Sequence, residues 1–213
     1  METEELRLAF IGFGSANRAL ARLLLEKSER PADDPRRHLR AGTRLVPWRA
    51  TCLATRTRGR VVAASPQQSI DLAAALRRVE AGGRLDRSLV VGERSETALA
   101  PRLPERVAKT CDFDACATAD LVALLGEHRI ANVVVEAIPS NPRGRGEPAL
   151  SIVRTALSSK MHVVSANKTS LAHRTPDGEE VYWKLQQIAR ANGVRYYHES
   201  AVSAMQKSLA CLS

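Results

Sequence analysis

The stretch that most limits what this chain can become lies at its start. Leu6-Arg7-Leu8-Ala9-Phe10-Ile11 alternates and then turns apolar, the pattern of a strand entering a buried sheet. Gly12-Phe13-Gly14 follows at once, and Ser15-Ala16-Asn17-Arg18-Ala19-Leu20-Ala21-Arg22-Leu23-Leu24-Leu25 then places apolar residues at helical spacing among strong helix formers. Strand, glycine turn and helix in this order predict an α/β fold. Gly12-x-Gly14-x-x-Asn17 matches a dinucleotide fingerprint whose third glycine is replaced by Asn17. The first glycine lets the chain bend, the second lets a pyrophosphate approach the backbone, and the helix start offers unpaired N–H groups to phosphate. Gly12, Phe13, Gly14, Ser15, Ala16 and Asn17 are the expected cofactor-binding residues of this turn.

The rest of the chain continues the alternation. A strand pair is expected across Arg49–Ala54 and Arg60–Ala64, with Arg56-Thr57-Arg58-Gly59 between. Residues 29–42 carry two prolines and read as an exposed loop. Ser69–Ala81 reads as a helix stopped by Gly82-Gly83. Residues 84–117 have no clear period, and Pro101 and Pro104 mark loop. Thr118 is placed to cap a helix over Ala119–Glu127. Then come strand Ile130–Val135, helix Glu147–Ser158, strand Met161–Ser165, a helix opened by Asp177 with Glu180 as a capping box, and strand Val194–His198. This order predicts a Rossmann-type, doubly wound and mostly parallel sheet over residues 6–200.

An acid at the end of the second strand would bond a ribose 2′-hydroxyl, and an arginine would suit a 2′-phosphate. The sequence offers Arg56 and Arg58 there and no nearby acid, which favours NADP over NAD, with Arg56 taken as the contact.

Composition excludes several classes. The hydrophobic share of 44% and charged share of 26% are those of a globular chain. No apolar run approaches the roughly 18–20 residues of a membrane helix. A strand beginning by Leu6 leaves no room for a secretory signal, so a cytoplasmic protein is expected. Cys52, Cys111, Cys116 and Cys211 lack paired metal spacing and read as reduced, structural thiols. The net charge of +9 raises nucleic acid as a partner, but the arginines are scattered and aromatics are only 4%, too few for a stacking surface.

The second half carries a resemblance. Asn132-Val133-Val134-Val135-Glu136-Ala137-Ile138-Pro139, then Met161-His162-Val163-Val164-Ser165-Ala166-Asn167-Lys168, then Tyr197-His198-Glu199-Ser200-Ala201-Val202 follow the Gly turn in the order found in homoserine dehydrogenases, which the chain resembles from about Leu6 to Val202. That resemblance implies NADP(H)-dependent interconversion of L-homoserine and L-aspartate 4-semialdehyde, in the biosynthesis of threonine and methionine. It implies a catalytic role for Lys168 and cofactor contacts from Ile138, Pro139, Ser165, Ala166, Asn167 and Lys168. It also implies a sodium ion held by Glu199, Val202 and Ala204, although Gln206 stands where the family has glycine. After Val202 the pattern departs from the family. Residues 201–213 are expected to be a stub of its substrate-binding and dimerisation domain, which leaves the family's homodimer doubtful for this chain. No kinase-like segment precedes the Gly turn, so the fused aspartokinase form is not expected. The alternative is an inactive NADP(H)-binding module or a partner-binding protein, since hydride transfer needs both reactants held in register.

Overall fold

The computed structural model describes residues 5–31, 33, 34, 39–41, 44–92, 115–141, 144–168, 173, 174, 178 and 180–198. Strands β1 (Leu6–Ile11), β4 (Trp48–Ala54), β5 (Arg60–Val62), β8 (Val133–Glu136), β9 (His162–Ser165) and β10 (Tyr196–Tyr197) form one six-stranded sheet in the order β10-β9-β8-β1-β4-β5. Every pairing is parallel except the β4–β5 hairpin at one edge. The expected Rossmann-type sheet is therefore present. Its strand order reverses at β1, which has β4 on one side and β8 on the other. Ligands of open α/β sheets bind at the carboxyl ends of the strands beside such a reversal.

Parallel sheets need cover on both faces, because helical crossovers return across them. Alternation along each strand sorts the side chains. Leu8 and Phe10, Leu53, and Val133 and Val135 face one core with Ala21 and Leu24 of α1 (Ser15–Glu29) and Ala75 and Leu76 of α2 (Leu72–Glu80). Ala9 and Ile11, Cys52, Val134 and Val163 face the other. That core is completed by α3 (Ala115–Glu127), α4 (Ala149–Ser158) and α5 (Val181–Ala191) through Leu121, Leu125, Ile152, Leu157 and Leu185. An ion pair between Arg22 and Glu80 ties α1 to α2. Cys52 is wholly buried, and burial pushes its thiol up to about 12, so it is a packing residue with no accessible thiolate. Cys111 and Cys211 lie outside the described residues.

Several boundaries differ from the sequence reading. Within 29–42, Leu39–Ala41 (β2) pairs antiparallel with Arg44–Val46 (β3), and Leu39 is buried in the α1–α2 core. The expected helix over 69–81 starts later, because Ser69–Ile70 (β6) pairs with Val90–Val91 (β7) and Asp71 caps α2 by accepting the Ala74 N–H at 2.9 Å. Helix α3 begins at Ala115, so Thr118 lies inside it, buried, rather than capping it. Helix α4 begins at Ala149, after a cis Glu147–Pro148 bond, and the Glu147 carboxylate accepts the Ser151 N–H at 3.0 Å. Helix α5 starts at Val181, after Glu180, whose side chain pairs with Arg174 and makes no cap hydrogen bond. The proposed partner in that capping box, Asp177, lies outside the described residues.

Candidate functional site

The site is built where β1, β8 and β9 end. Gly12 leaves β1 with φ +87°, a left-handed conformation that favours glycine. A Cβ there would sit 2.7 Å from the carbonyl carbon and oxygen of Ala137 and 2.9 Å from the Ile138 nitrogen. The exit of β8 is thus pressed directly onto Gly12. The Gly12 and Phe13 N–H groups both donate to the Ala54 carbonyl, at 3.0 and 2.8 Å, so the turn is also pinned to the end of β4.

Gly14 is the opposite case. A Cβ on it would meet only the Gly12 oxygen, at 3.9 Å, and its φ is −88°. Gly14, Ser15 and Ala16 are exposed, and α1 has no acid in its first turn. The first N–H groups of a helix have no intrahelical acceptor, so this end presents open donors and partial positive charge to anything anionic in front of Gly14. Arg18 stands in the same first turn, its Nε buried with no hydrogen-bond partner among the described residues. One glycine filled from behind and one open in front form the cradle that a pyrophosphate requires.

Two residues of the fingerprint turn inward. The Phe13 ring is buried edge-on against Phe10, with centroids 5.9 Å apart, so only its backbone belongs to the turn. Asn17 is 2% exposed, and its amide donates toward the carbonyls of Ile11, Gly12 and Val135 at 3.4, 3.1 and 3.2 Å. A third glycine would let helix and strand approach. Asn17 instead bonds the helix to β1, the turn and β8. Asn17→Ala is expected to lower stability by about 2 kcal/mol, because buried carbonyls lose their donor, and a urea titration measures it. A midpoint equal to wild type would show that the amide contributes nothing.

At the end of β4, Arg56 and Arg58 separate. The Arg58 guanidinium donates to the Gly82 carbonyl, just past the end of α2, and its own carbonyl accepts the Leu85 N–H at 2.8 Å. It is committed to the fold. Arg56 is exposed on the same turn and makes no hydrogen bond or ion pair among the described residues.

The exits of β8 and β9 carry a polar network. Glu136, the last residue of β8, is fully buried. One carboxylate oxygen accepts the Ile138 N–H at 2.7 Å, and the other accepts the Ser165 hydroxyl at 2.5 Å. Ser165 Oγ in turn accepts the Asn167 N–H at 3.1 Å. The Asn167 amide donates to the Ile138 carbonyl at 3.2 Å and accepts from the Ser140 hydroxyl at 3.0 Å. Burial pushes the Glu136 carboxyl above the ordinary range, against the opposing hydrogen bonds from Ser165, Ile138 and Asn167. Ser165 and Asn167, expected as cofactor contacts, thus spend their side chains on this network, and Ile138 its backbone. Pro139 and Lys168 are exposed at its rim, Ala166 half-buried. Sequence reasoning did not single out Glu136 as a site residue. The only signal was an acid closing an otherwise apolar run, Val133-Val134-Val135.

Glu199, Val202 and Ala204, the expected sodium ligands, lie outside the described residues. Among the described residues, no group of three or more His, Cys, Asp or Glu side chains is placed to hold a metal ion. Among them also, no helix is long and apolar enough to cross a membrane.

No protein-family model matches the chain, and no curated protein does. Solved structures do. The chain superposes on homoserine dehydrogenase from Thermoplasma acidophilum with a TM-score of 0.54 at 17% identity, covering 92% of this chain and 44% of that one. It superposes on a putative homoserine dehydrogenase from Archaeoglobus fulgidus with a TM-score of 0.54 at 20% identity, covering 92% of this chain and 42% of that one. The likeness is one of fold, and the chain spans less than half the length of either neighbour.

Proposed function

We propose that this chain is a nicotinamide-dinucleotide-binding domain of homoserine dehydrogenase type, with NADP(H) as its cofactor. The observation that carries the reading is the contrast between the two glycines, Gly12 packed against β8 and Gly14 open before the exposed start of α1. In this reading the N–H groups of Ser15 and Ala16 hold the pyrophosphate in front of Gly14, whose own N–H donates to the Gly12 carbonyl at 2.7 Å, with the Asn17 backbone behind them. Arg56 reads the 2′-phosphate. Pro139, Ala166 and Lys168 face the nicotinamide end, with Ile138, Ser165 and Asn167 fixing them from behind.

A bound nicotinamide supplies or accepts a hydride. The chain's own part is to orient that ring and to manage charge and a proton at the substrate oxygen. Lys168 is the residue for this work, because it is exposed at the rim while its neighbour Asn167 is fixed by three hydrogen bonds. An ammonium held there stabilises the negative charge that builds on a carbonyl oxygen and donates the proton when an alcohol forms. The substrate proposed is the L-homoserine and L-aspartate 4-semialdehyde pair, in threonine and methionine biosynthesis. Sodium at Glu199, Val202 and Ala204, a domain division near residue 200, a homodimer of the longer form and a cytoplasmic location belong to the same proposal.

A second reading, a dinucleotide-binding module without turnover, draws on the coverage of the solved neighbours, since this chain spans less than half of each. The first experiment serves both readings: the 213-residue chain is titrated with NADPH and NADH by fluorescence. Saturable, NADPH-preferring binding is expected, and no binding to either nucleotide sinks the proposal. Arg56→Ala should weaken NADPH by about 10-fold or more and NADH by less than about 2-fold, the loss of one charge-assisted contact. Equal weakening of both would remove Arg56 from the 2′-phosphate.

A further inference from the structure

Glu136 has no role in the chemistry proposed above, yet it is the most expensive side chain at the site to bury. A carboxylate out of water needs its oxygens satisfied, and here they are satisfied by one particular set of partners. Those partners lie on two separate strand exits. The Ile138 N–H belongs to the segment after β8, and Ser165 and Asn167 belong to the end of β9 and the turn beyond it. The direction of each bond is set by its donors. Asn167 N–H donates to Ser165 Oγ, and the Ser165 hydroxyl donates to Glu136 Oε2. The Asn167 amide returns to the Ile138 carbonyl, and Ser140 closes the loop on Asn167 Oδ1. The chain from 136 to 140 and the chain from 165 to 167 are thus held together through one carboxyl group. The next residue is Lys168.

Glu136 also sits on the strand beside the reversal of strand order at β1. Its register partners are Ile11 on β1, which runs directly into Gly12, and Ser165 on β9. It therefore lies at the β8 and β9 end of the cleft, away from the β4–β5 turn that carries Arg56. We infer that Glu136 is a positioning residue for the nicotinamide end of the cleft, locking the exits of β8 and β9 through Ser165 and Asn167 and thereby placing Ile138 and Lys168. This rests on the dinucleotide reading. It does not make Glu136 a catalytic residue, because the group is buried and acts through its neighbours. An apolar replacement should free the two exits from each other, while Arg56 and the turn after β4 stay as they are.

The test separates the two ends of the ligand. Wild type, Glu136→Leu and Glu136→Gln are each titrated with NADPH and with adenosine 2′,5′-bisphosphate, which carries the adenosine end alone. Glu136→Leu is expected to lose about 10-fold in NADPH affinity and to hold adenosine 2′,5′-bisphosphate within about 2-fold of wild type. Glu136→Gln keeps an acceptor for Ile138 and polar contact with Ser165, and should recover most of the lost NADPH affinity. Unchanged NADPH binding in Glu136→Leu overturns the inference, and so does equal weakening of both probes, which would mark Glu136 as a fold residue only. If Glu136→Leu does not fold, Ser165→Ala and Asn167→Ala cut the same network from its other side. Selective loss of NADPH in them supports the inference, and equal loss of both probes or no loss overturns it. Wild type that binds neither probe overturns the dinucleotide reading itself and this inference with it, a result seen before any substitution is made.

Discussion

Gly12→Ala should lower the melting temperature by about 10 °C or prevent folding, whereas Gly14→Ala should leave the melt unchanged and abolish dinucleotide binding. The two substitutions add the same methyl group two residues apart, so the difference lies wholly in where it goes. At Gly12 the new Cβ meets backbone atoms of Ala137 and Ile138 at 2.7 to 2.9 Å, closer than real Cβ contacts come. Those atoms cannot swing aside as a side chain would, because the Ala137 N–H is bonded to Ile11 and the Ile138 N–H to Glu136. A positive φ adds about 1–2 kcal/mol for an L side chain. Strain and clash together exceed about 3 kcal/mol, and in a chain of this length each kcal/mol moves the midpoint by about 2–4 °C. At Gly14 neither cost arises, since φ is −88° and the nearest atom is 3.9 Å away. The methyl fills the space in front of α1 that a pyrophosphate would occupy. Circular dichroism melts and NADPH titrations of both variants read the two effects separately. A wild-type melt for Gly12→Ala would show that β8 does not press on the turn, and wild-type affinity in Gly14→Ala would show that no phosphate passes there.

Glu136→Gln is expected to gain stability over wild type as pH rises, with little difference near pH 4. The sign follows from linkage. In the unfolded chain the Glu136 carboxyl ionises in the ordinary range, about 4.3. In the folded chain burial raises it, so over the window above the ordinary value the folded state holds a proton that the unfolded state has released. The contribution of Glu136 is then fully present below the unfolded value and is lost as pH rises through the folded one. Each pH unit inside that window costs wild type about 1.4 kcal/mol, or about 3–5 °C. The glutamine cannot ionise and does not lose it. Every other titrating group is common to both proteins and cancels in the difference, provided it lies away from the substitution. Melts of both at pH 4 to 8 give the result. A difference that stays flat with pH would mean that the carboxyl titrates normally, with its hydrogen bonds offsetting its burial.

Much of the fold could be read directly from local pattern. Leu6–Ile11 and Gly12-Phe13-Gly14 announce a strand and a turn, and the five α-helices of the described residues lie within a few residues of their expected places, while the short 3-10 turn at Arg87–Leu89 falls in a stretch with no clear period. Where boundaries slipped, a distant partner had decided them. Ser69 and Ile70 looked helical with their neighbours, but Val90 and Val91 draw them into a strand. Leu39 sat in a polar, proline-bearing stretch that reads as loop, yet a buried position beside α1 and α2 and pairing with Val46 make it strand. Glu180, three residues after Asp177, fits the acid of a capping box, yet it pairs with Arg174 and stands just before the helix rather than inside it.

The division at the site follows from the range of the forces involved. Sequence alone determined what depends on a residue and its near neighbours. The turn that only glycine makes easily, the helix start behind it and the placing of arginines after the second strand are all of this kind. Tertiary structure decided which side chains remain available to a ligand. Asn17 is joined to Val135, 118 positions away, and Ser165 to Glu136, 29 positions away. Arg58 is joined to Gly82, which leaves Arg56 as the exposed arginine of that turn. Hydrogen bonds reach about 3 Å and saturate their partners, so a side chain spent on the fold is lost to the site. That spending is settled only when the strands come together.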